Sequence, residues 1–218
     1  MSAPKPVVLC ILDGWGLSER REGNAPLLAR TPTMDRLIAT CPHATLTTFG
    51  PDVGLPRGQM GNSEVGHTNI GAGRVVAMDL GQIDLAIEEG SFAQNPPLRA
   101  FIERLQQTGG TAHLMGVVSD GGVHGHVNHM VAAAQALTDE GVPVSIHAIT
   151  DGRDVPPKSA MSYLQSLEAA LPSGAQIATI TGRYYAMDRD TRWERVSRAY
   201  QAIVHANGSE AQTPTAAI

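Results

Sequence analysis

Ser63 stands in the run G-Q-M-G-N-S-E-V-G-H, residues 58–67, after a glycine-rich loop and before a short stretch that reads as a helix. A hydroxyl placed there has a helix N-terminus behind it. Unpaired backbone N–H groups and the macrodipole favour developing negative charge at such a place. From this segment alone, however, a plain N-cap serine explains the pattern better than a nucleophile does. Two phosphate-binding loops are excluded. Residues 58–67 contain no lysine, so this is not a P-loop, and G-A-G-R-V-V at 71–76 lacks the third glycine of the dinucleotide fingerprint.

Three later clusters carry charge. They are S-D-G-G-V-H-G-H after Val118, T-D-G-R-D-V-P-P-K after Ile149, and G-R-Y-Y-A-M-D-R-D after Thr181. Each follows an apolar run that reads as a strand, and an earlier run at residues 7–12 ends in D-G-W-G. Ligands of open α/β sheets sit beyond the carboxyl ends of the strands, so Asp with His or Arg in three consecutive loops points to a site. His124, His126 and His129 form H-x-H-x-x-H. Three histidines could hold zinc. A solvated loop running into a helix start is the plainer reading, because no carboxylate or cysteine at helical spacing completes the set.

The elements that would position these residues alternate. Residues 7–12 and 44–48 read as strands, and 50–61 as a loop. Thr31-Pro32 starts a helix with Met34, Leu37 and Ile38 on one face. Asp79 could cap a helix carrying Ile83, Ala86 and Ile87, and Asn95-Pro96 starts another. Strands are expected at 111–118, 143–149 and 175–181. Helices are expected at 127–138, 158–171 and 192–206, and the last ten residues read as loop. Strand alternating with helix implies βαβ units and mostly parallel sheets. The pattern changes near residues 74–79, where a boundary would fall.

Composition excludes several classes. With 218 residues, 42% hydrophobic and 17% charged, the chain is globular rather than disordered. The net charge of −5 and the lack of a basic run make a nucleic-acid partner a poor expectation. No apolar run approaches a membrane span, and no secretory leader is evident. Cys10 and Cys41 are too few for a disulfide framework, so a reducing, cytoplasmic setting is expected, with both packed as small hydrophobes. Only Lys5 and Lys158 are lysines, so 14 of the 16 cations are arginine, the side chain suited to two-pronged recognition of phosphate and carboxylate. Codon bias is the plainer reading of the overall ratio, so each arginine is argued singly.

The segments V-V-L-C-I-L-D-G-W-G, G-Q-M-G-N-S-E-V-G-H-T-N-I-G-A-G-R, S-D-G-G-V-H-G-H, D-G-R-D-V-P-P-K-S-A and T-G-R-Y-Y-A-M-D-R-D occur in this order. Together they resemble the cofactor-independent phosphoglycerate mutases over nearly the whole chain. The resemblance implies an α/β fold with mostly parallel sheets. In it, residues 1–76 would be a strip of an alkaline-phosphatase-like domain, and 77–218 part of an inserted phosphotransferase domain. It implies interconversion of 3- and 2-phosphoglycerate in glycolysis and gluconeogenesis through a phosphoserine, with no bisphosphoglycerate primer. Ser63 would be the nucleophile, and Asp13 and Ser63 ligands of one of two divalent metals, usually manganese. His124, Arg153, Asp154, Arg183 and Arg189 would bind substrate. The partner would be a small molecule, with no nucleic acid and no membrane, and the full-length protein a monomer. Members of the family are more than twice this length, so the chain is expected to be an inactive N-terminal fragment. A related two-metal phosphatase lacking the arginine loops, and a non-catalytic phospho-ligand-binding fragment, are the alternatives.

Overall fold

The computed structural model describes residues 5–218. Its helices begin with α1 (Ala25–Leu28) and α2 (Pro32–Thr40), both with proline in the first turn, where no N–H partner is needed. Thr31 precedes α2, but its hydroxyl bonds the Asp35 side chain at 2.9 Å rather than a backbone N–H. Next come α3 (Ser63–Ala72) and α4 (Asp79–Glu88). Asp79 is the first residue of α4 rather than its cap. That place belongs to Met78, and Asp79 supplies first-turn negative charge instead. Then α5 (Pro96–Thr108) opens on Asn95, whose side chain accepts from the Leu98 N–H at 3.5 Å.

The regular part follows: β1 (Ala112–Val118), α6 (Val127–Thr138), β2 (Val144–Thr150), α7 (Ala160–Ala170), β3 (Ala175–Gly182), α8 (Arg183–Ala186) and α9 (Trp193–His205). The three strands form one parallel sheet in the order β1-β2-β3. Ala112 pairs with Val144 and Val144 with Ala175, with one irregularity between Ile146 and His147 in the pairing to β3. Parallel pairing brings the strand ends together: Val118 lies beside Thr150, and Thr150 beside Gly182. The loops that follow those three residues therefore open on the same edge of the sheet.

One face of the sheet is packed by α5, α6 and α7 through Ile102, Ala134, Leu137, Leu164 and Leu167, against Ala112, Val144, Ile146 and Ala148. These near-continuous apolar strands are what a parallel sheet requires. On the opposite face, buried His147 bonds His113 at 2.9 Å and Thr179 at 2.9 Å. Burial, and then the neighbouring His113, lower the pKa of His147.

Four further expectations fail. Residues 7–12 and 44–48 form no strand, and Val7, Val8 and Leu46 are 95%, 86% and 85% exposed. A buried strand needs neighbours for both its backbone edge and its faces, and no strand among the described residues precedes β1. Cys10 and Cys41 are exposed rather than packed, for the same reason. The chain end, expected as loop, contains a short 3-10 helix, Pro214–Ala217, capped by Thr213 and packed near α7 and β3.

Candidate active site

Two clusters form, and a glutamine joins them. In the first, α3 starts at Ser63, with Asn62 as the cap accepting from the Val65 N–H at 3.0 Å. Ser63 is thus the first helical residue and not the cap, which frees its hydroxyl. That hydroxyl donates to Asp13 Oδ2 at 2.6 Å, across 50 positions of sequence. His67, one turn on, has Nδ1 at 2.8 Å from the Ser63 carbonyl and 3.1 Å from its Oγ. The serine proton goes to Asp13, so Nδ1 carries a hydrogen and donates to the carbonyl. The loop before α3 runs tightly against residue 48. A Cβ on Gly61 would lie 1.8 Å from the Thr48 carbonyl oxygen, so only glycine fits there.

The second cluster is a pocket of about 460 Å³ beyond the strand ends, lined by His124, Arg153, Arg183 and Arg189 among others. Arg183 Nη1 donates to Asp151 Oδ1 at 2.8 Å and to Asp154 Oδ2 at 2.6 Å. His124 Nε2 is 3.8 Å from the same Asp154 oxygen. Arg153 and Arg189 are exposed and form no ion pair among the described residues. Asp151 is held down to a pKa of about 2. Its burial opposes that shift, but hydrogen bonds from Ser119, Arg183 and two backbone N–H groups outweigh it. Across the mouth of the β1 loop, Tyr163 donates to Asp120, which with burial pushes the phenol up to about 12.

Gln59, in the loop before Ser63, donates from Nε2 to the Gly122 carbonyl in the β1 loop at 2.6 Å. Its Oε1 is buried with no partner. Asp13 and Ser63 do not line the arginine pocket. The chain therefore brings together Asp13 with Ser63, and His124, Arg153, Asp154, Arg183 and Arg189 with one another.

The histidine trio does not converge. His126 Nδ1 accepts from the Asn128 N–H at 3.1 Å and caps α6, while His129 Nε2 meets Asp84 of α4 at 2.6 Å. His124 faces Asp154 instead. Among the described residues no group of three or more His, Cys, Asp or Glu could hold a metal ion. Asp13 and Ser63 supply two hard oxygens, which suit a divalent cation by type but are too few to enclose one.

Sequence reasoning missed Asp151, Asp188, Arg195 and Tyr184. Arg195 Nη1 donates to Asp188 Oδ1 at 2.9 Å, and its guanidinium lies 4.0 Å from the centre of the Tyr184 ring. The available signal was an aspartate one or two residues ahead of an arginine in each loop, D-G-R and D-R, a spacing at which Asp readily accepts from the following N–H groups.

Two βαβ units with an arginine-lined pocket at their carboxyl edge make this an α/β protein with its pocket where open parallel sheets hold their ligands. The family described as BPG-independent PGAM N-terminus matches residues 83–218, and the chain belongs to it. The 2,3-bisphosphoglycerate-independent phosphoglycerate mutase of Roseobacter denitrificans is 78% identical over all 218 residues. That of Dinoroseobacter shibae is 72% identical over the same span. The chain spans 43% of the length of each of these relatives. Among solved structures, Leishmania mexicana phosphoglycerate mutase, crystallised at low cobalt concentration, is similar with a TM-score of 0.68 and 35% identity. The likeness covers 86% of this chain and 36% of that one.

Proposed function

We propose that these 218 residues supply the nucleophile and the substrate pocket of a phosphoglycerate mutase that interconverts 3- and 2-phosphoglycerate. In this reading residues 1–76 carry Ser63 and Asp13, and residues 77–218 carry the pocket. The observation that supports it most is the bond from Ser63 Oγ to Asp13 Oδ2 at 2.6 Å, on the first residue of a ten-residue helix. A serine hydroxyl is a weak nucleophile until its proton is drawn away, and the Asp13 carboxylate already accepts that hydrogen.

Substrate would enter with its phosphate and carboxylate against Arg153 and Arg189, the guanidinium groups of the pocket that form no ion pair among the described residues. Charge-assisted, two-pronged bonds suit both anions. Ser63 Oγ, which lies outside the pocket lining, would be brought to the phosphate by closure of the two clusters on the substrate; its bond to phosphorus then forms as the bond to the C3 oxygen breaks, and that oxygen takes up a proton. The glycerate then presents its C2 hydroxyl, whose oxygen attacks the phosphoserine, and Ser63 regains its hydrogen. The reaction returns the enzyme unchanged, so no bisphosphorylated primer is consumed. Phosphoryl transfer runs on positioning and charge stabilisation, which is what Asp154, Arg183 and His124 would provide around the glycerate.

Two divalent cations, manganese in the first instance, belong to the reading as Lewis acids that lower the pKa of a bound hydroxyl. Asp13 and Ser63 would contribute part of one coordination shell, and the remaining ligands would come from outside these residues. We place the reaction in glycolysis and gluconeogenesis, in the cytoplasm, with a small-molecule substrate and a monomeric full-length enzyme. The phosphatase alternative is disfavoured by Arg153, Arg183 and Arg189 converging on one pocket, which phosphate release alone does not demand.

The test places residues 1–218 of this chain in the full-length background of the Roseobacter denitrificans relative. Incubation with 3-phosphoglycerate and manganese should yield 2-phosphoglycerate and phosphoserine at position 63, read by mass spectrometry. Ser63→Ala should abolish both, and retained turnover in that variant would move the nucleophile elsewhere.

A further inference from the structure

Two carboxylates lie beneath the arginine loops, nearly closed off from solvent although both residues line the pocket. The Asp151 side chain is 2% exposed and the Asp188 side chain 1%. Asp151 Oδ1 accepts from the N–H groups of Arg153 and Asp154, both at 3.1 Å, and from Arg183 Nη1 at 2.8 Å. Its Oδ2 accepts from Ser119 Oγ at 2.7 Å. Asp188 Oδ2 accepts from the N–H groups of Asp190 at 3.1 Å and Arg192 at 2.8 Å, while Oδ1 takes Arg195 Nη1 at 2.9 Å. The loop that Asp188 closes holds Thr191 at φ +58°, a left-handed conformation costly for a β-branched residue, so that turn needs outside support.

The two loops share one construction. An aspartate just ahead of an arginine folds the following backbone around its carboxylate, then clamps a second arginine from a neighbouring element. Arg153 and Arg189, the residues so presented, carry no ion pair of their own among the described residues. We propose that Asp151 and Asp188 are positioning residues, which preset the loops so that Arg153 and Arg189 face the anion pocket before substrate arrives. Resting on the phosphoglycerate reading for its ligand, the proposal adds to that reading how the arginines are aimed.

Electrostatics and positioning predict opposite signs. A carboxylate beside an anion site repels the anion, so on charge alone removing it should tighten binding. If the carboxylate holds the loop, removing it should weaken binding, because the guanidinium groups must then be ordered at the ligand's expense.

The test uses the 218-residue chain and its Asp151→Asn, Asp151→Ala and Asp188→Asn variants, with 3-phosphoglycerate as the probe in calorimetry. Amide hydrogen exchange at Arg153, Asp154, Asp190 and Arg192 is followed by NMR well below each variant's melting temperature. Both Asn variants should bind the probe roughly 10-fold more weakly, in line with loss of a charge-assisted bond. Asp151→Ala should also speed exchange at Arg153 and Asp154 while the β2 amides stay protected. If Asp151→Ala does not fold, Asp151→Asn decides, since it keeps the shape and the backbone acceptor but loses the pairing with Arg183. Tighter binding in the Asn variants, or a lower melting temperature with unchanged affinity, overturns the proposal. If the unsubstituted chain does not bind the probe, the phosphoglycerate reading falls for this chain. The exchange rates then decide the positioning role by themselves: wild-type protection at Arg153 and Asp154 in Asp151→Ala overturns it.

Discussion

Arg153 is the most exposed test of the pocket, since its guanidinium has no partner to lose among the described residues. Arg153→Lys keeps the charge but not the planar fork. It should weaken 3-phosphoglycerate binding by ~1–3 kcal/mol in calorimetry, the range for a charge-assisted bond. Unchanged affinity would remove Arg153 from the site. Asp151 makes a separate prediction about pH. Its folded pKa of about 2 lies below the ordinary value of 3.8. The unfolded chain therefore binds this proton first, and the stabilisation is fully present above about pH 4 and lost as pH falls towards 2. His126 acts at higher pH. Burial first, then the neighbouring His129, lowers its pKa from the ordinary 6.5. The unfolded state again takes the proton preferentially, so stability is whole above pH 6.5 and declines as pH drops below it. Protonation also removes the Nδ1 lone pair that accepts the Asn128 N–H. Thermal melts across pH 2–8 should show both losses, and His126→Ala should reduce the upper one, to which His147, lowered in the same direction by burial, also contributes.

At the scale of elements, the sheet depends on the apolar contact between β2 and the helices α6 and α7. Ile146 is fully buried at the middle of β2, among Leu137, Leu164 and Leu167. Ile146→Ala should cost about 2–5 kcal/mol in denaturant unfolding, as large-to-small core changes do. A loss under 1 kcal/mol would mean that this face can collapse around the gap. The same region was the most readable in the sequence. Residues 127–138 match α6 residue for residue, and the three strands fall within one residue of expectation at either end. Their apolar runs, bounded by glycine and polar clusters, are long enough to leave few alternatives. By contrast, residues 7–12 are as apolar as β2 yet lie exposed, because a strand's character is only half its requirement. The other half is a neighbour with free backbone groups, which no local pattern reports.

For the whole molecule, the unevenness of packing makes a direct prediction. Residues 98–180 share a core, whereas residues 5–50 have almost no buried side chain. Hydrogen exchange should therefore protect β1, β2, β3, α6 and α7 far more than any amide before residue 50. Equal protection of the two regions would contradict that. The chain alone, in which no group of three or more metal-holding side chains gathers among the described residues, should show no mutase turnover with manganese added in a coupled assay. Turnover near the rate of a full-length enzyme would mean that the reacting groups have been misplaced.

The sequence by itself determined the alternation that makes a parallel sheet, and with it the edge on which His124, Arg153 and Arg189 gather. Strand period, capping residues and strand-end polarity are local, and they act before any long-range contact forms. The motif order also identified the family to which the chain belongs. Only the tertiary structure decided the partners. The bond between Ser63 and Asp13 spans 50 positions, and Arg183 reaches back 32 to Asp151 and 29 to Asp154. It also decided that H-x-H-x-x-H splits among a helix cap, an Asp84 pair and the arginine pocket instead of converging on a metal. Spacing along the chain fixes which side chains leave a loop together. Which way each then turns depends on the carboxylates and N–H groups that the fold has brought beside it, and those come from elsewhere in the chain.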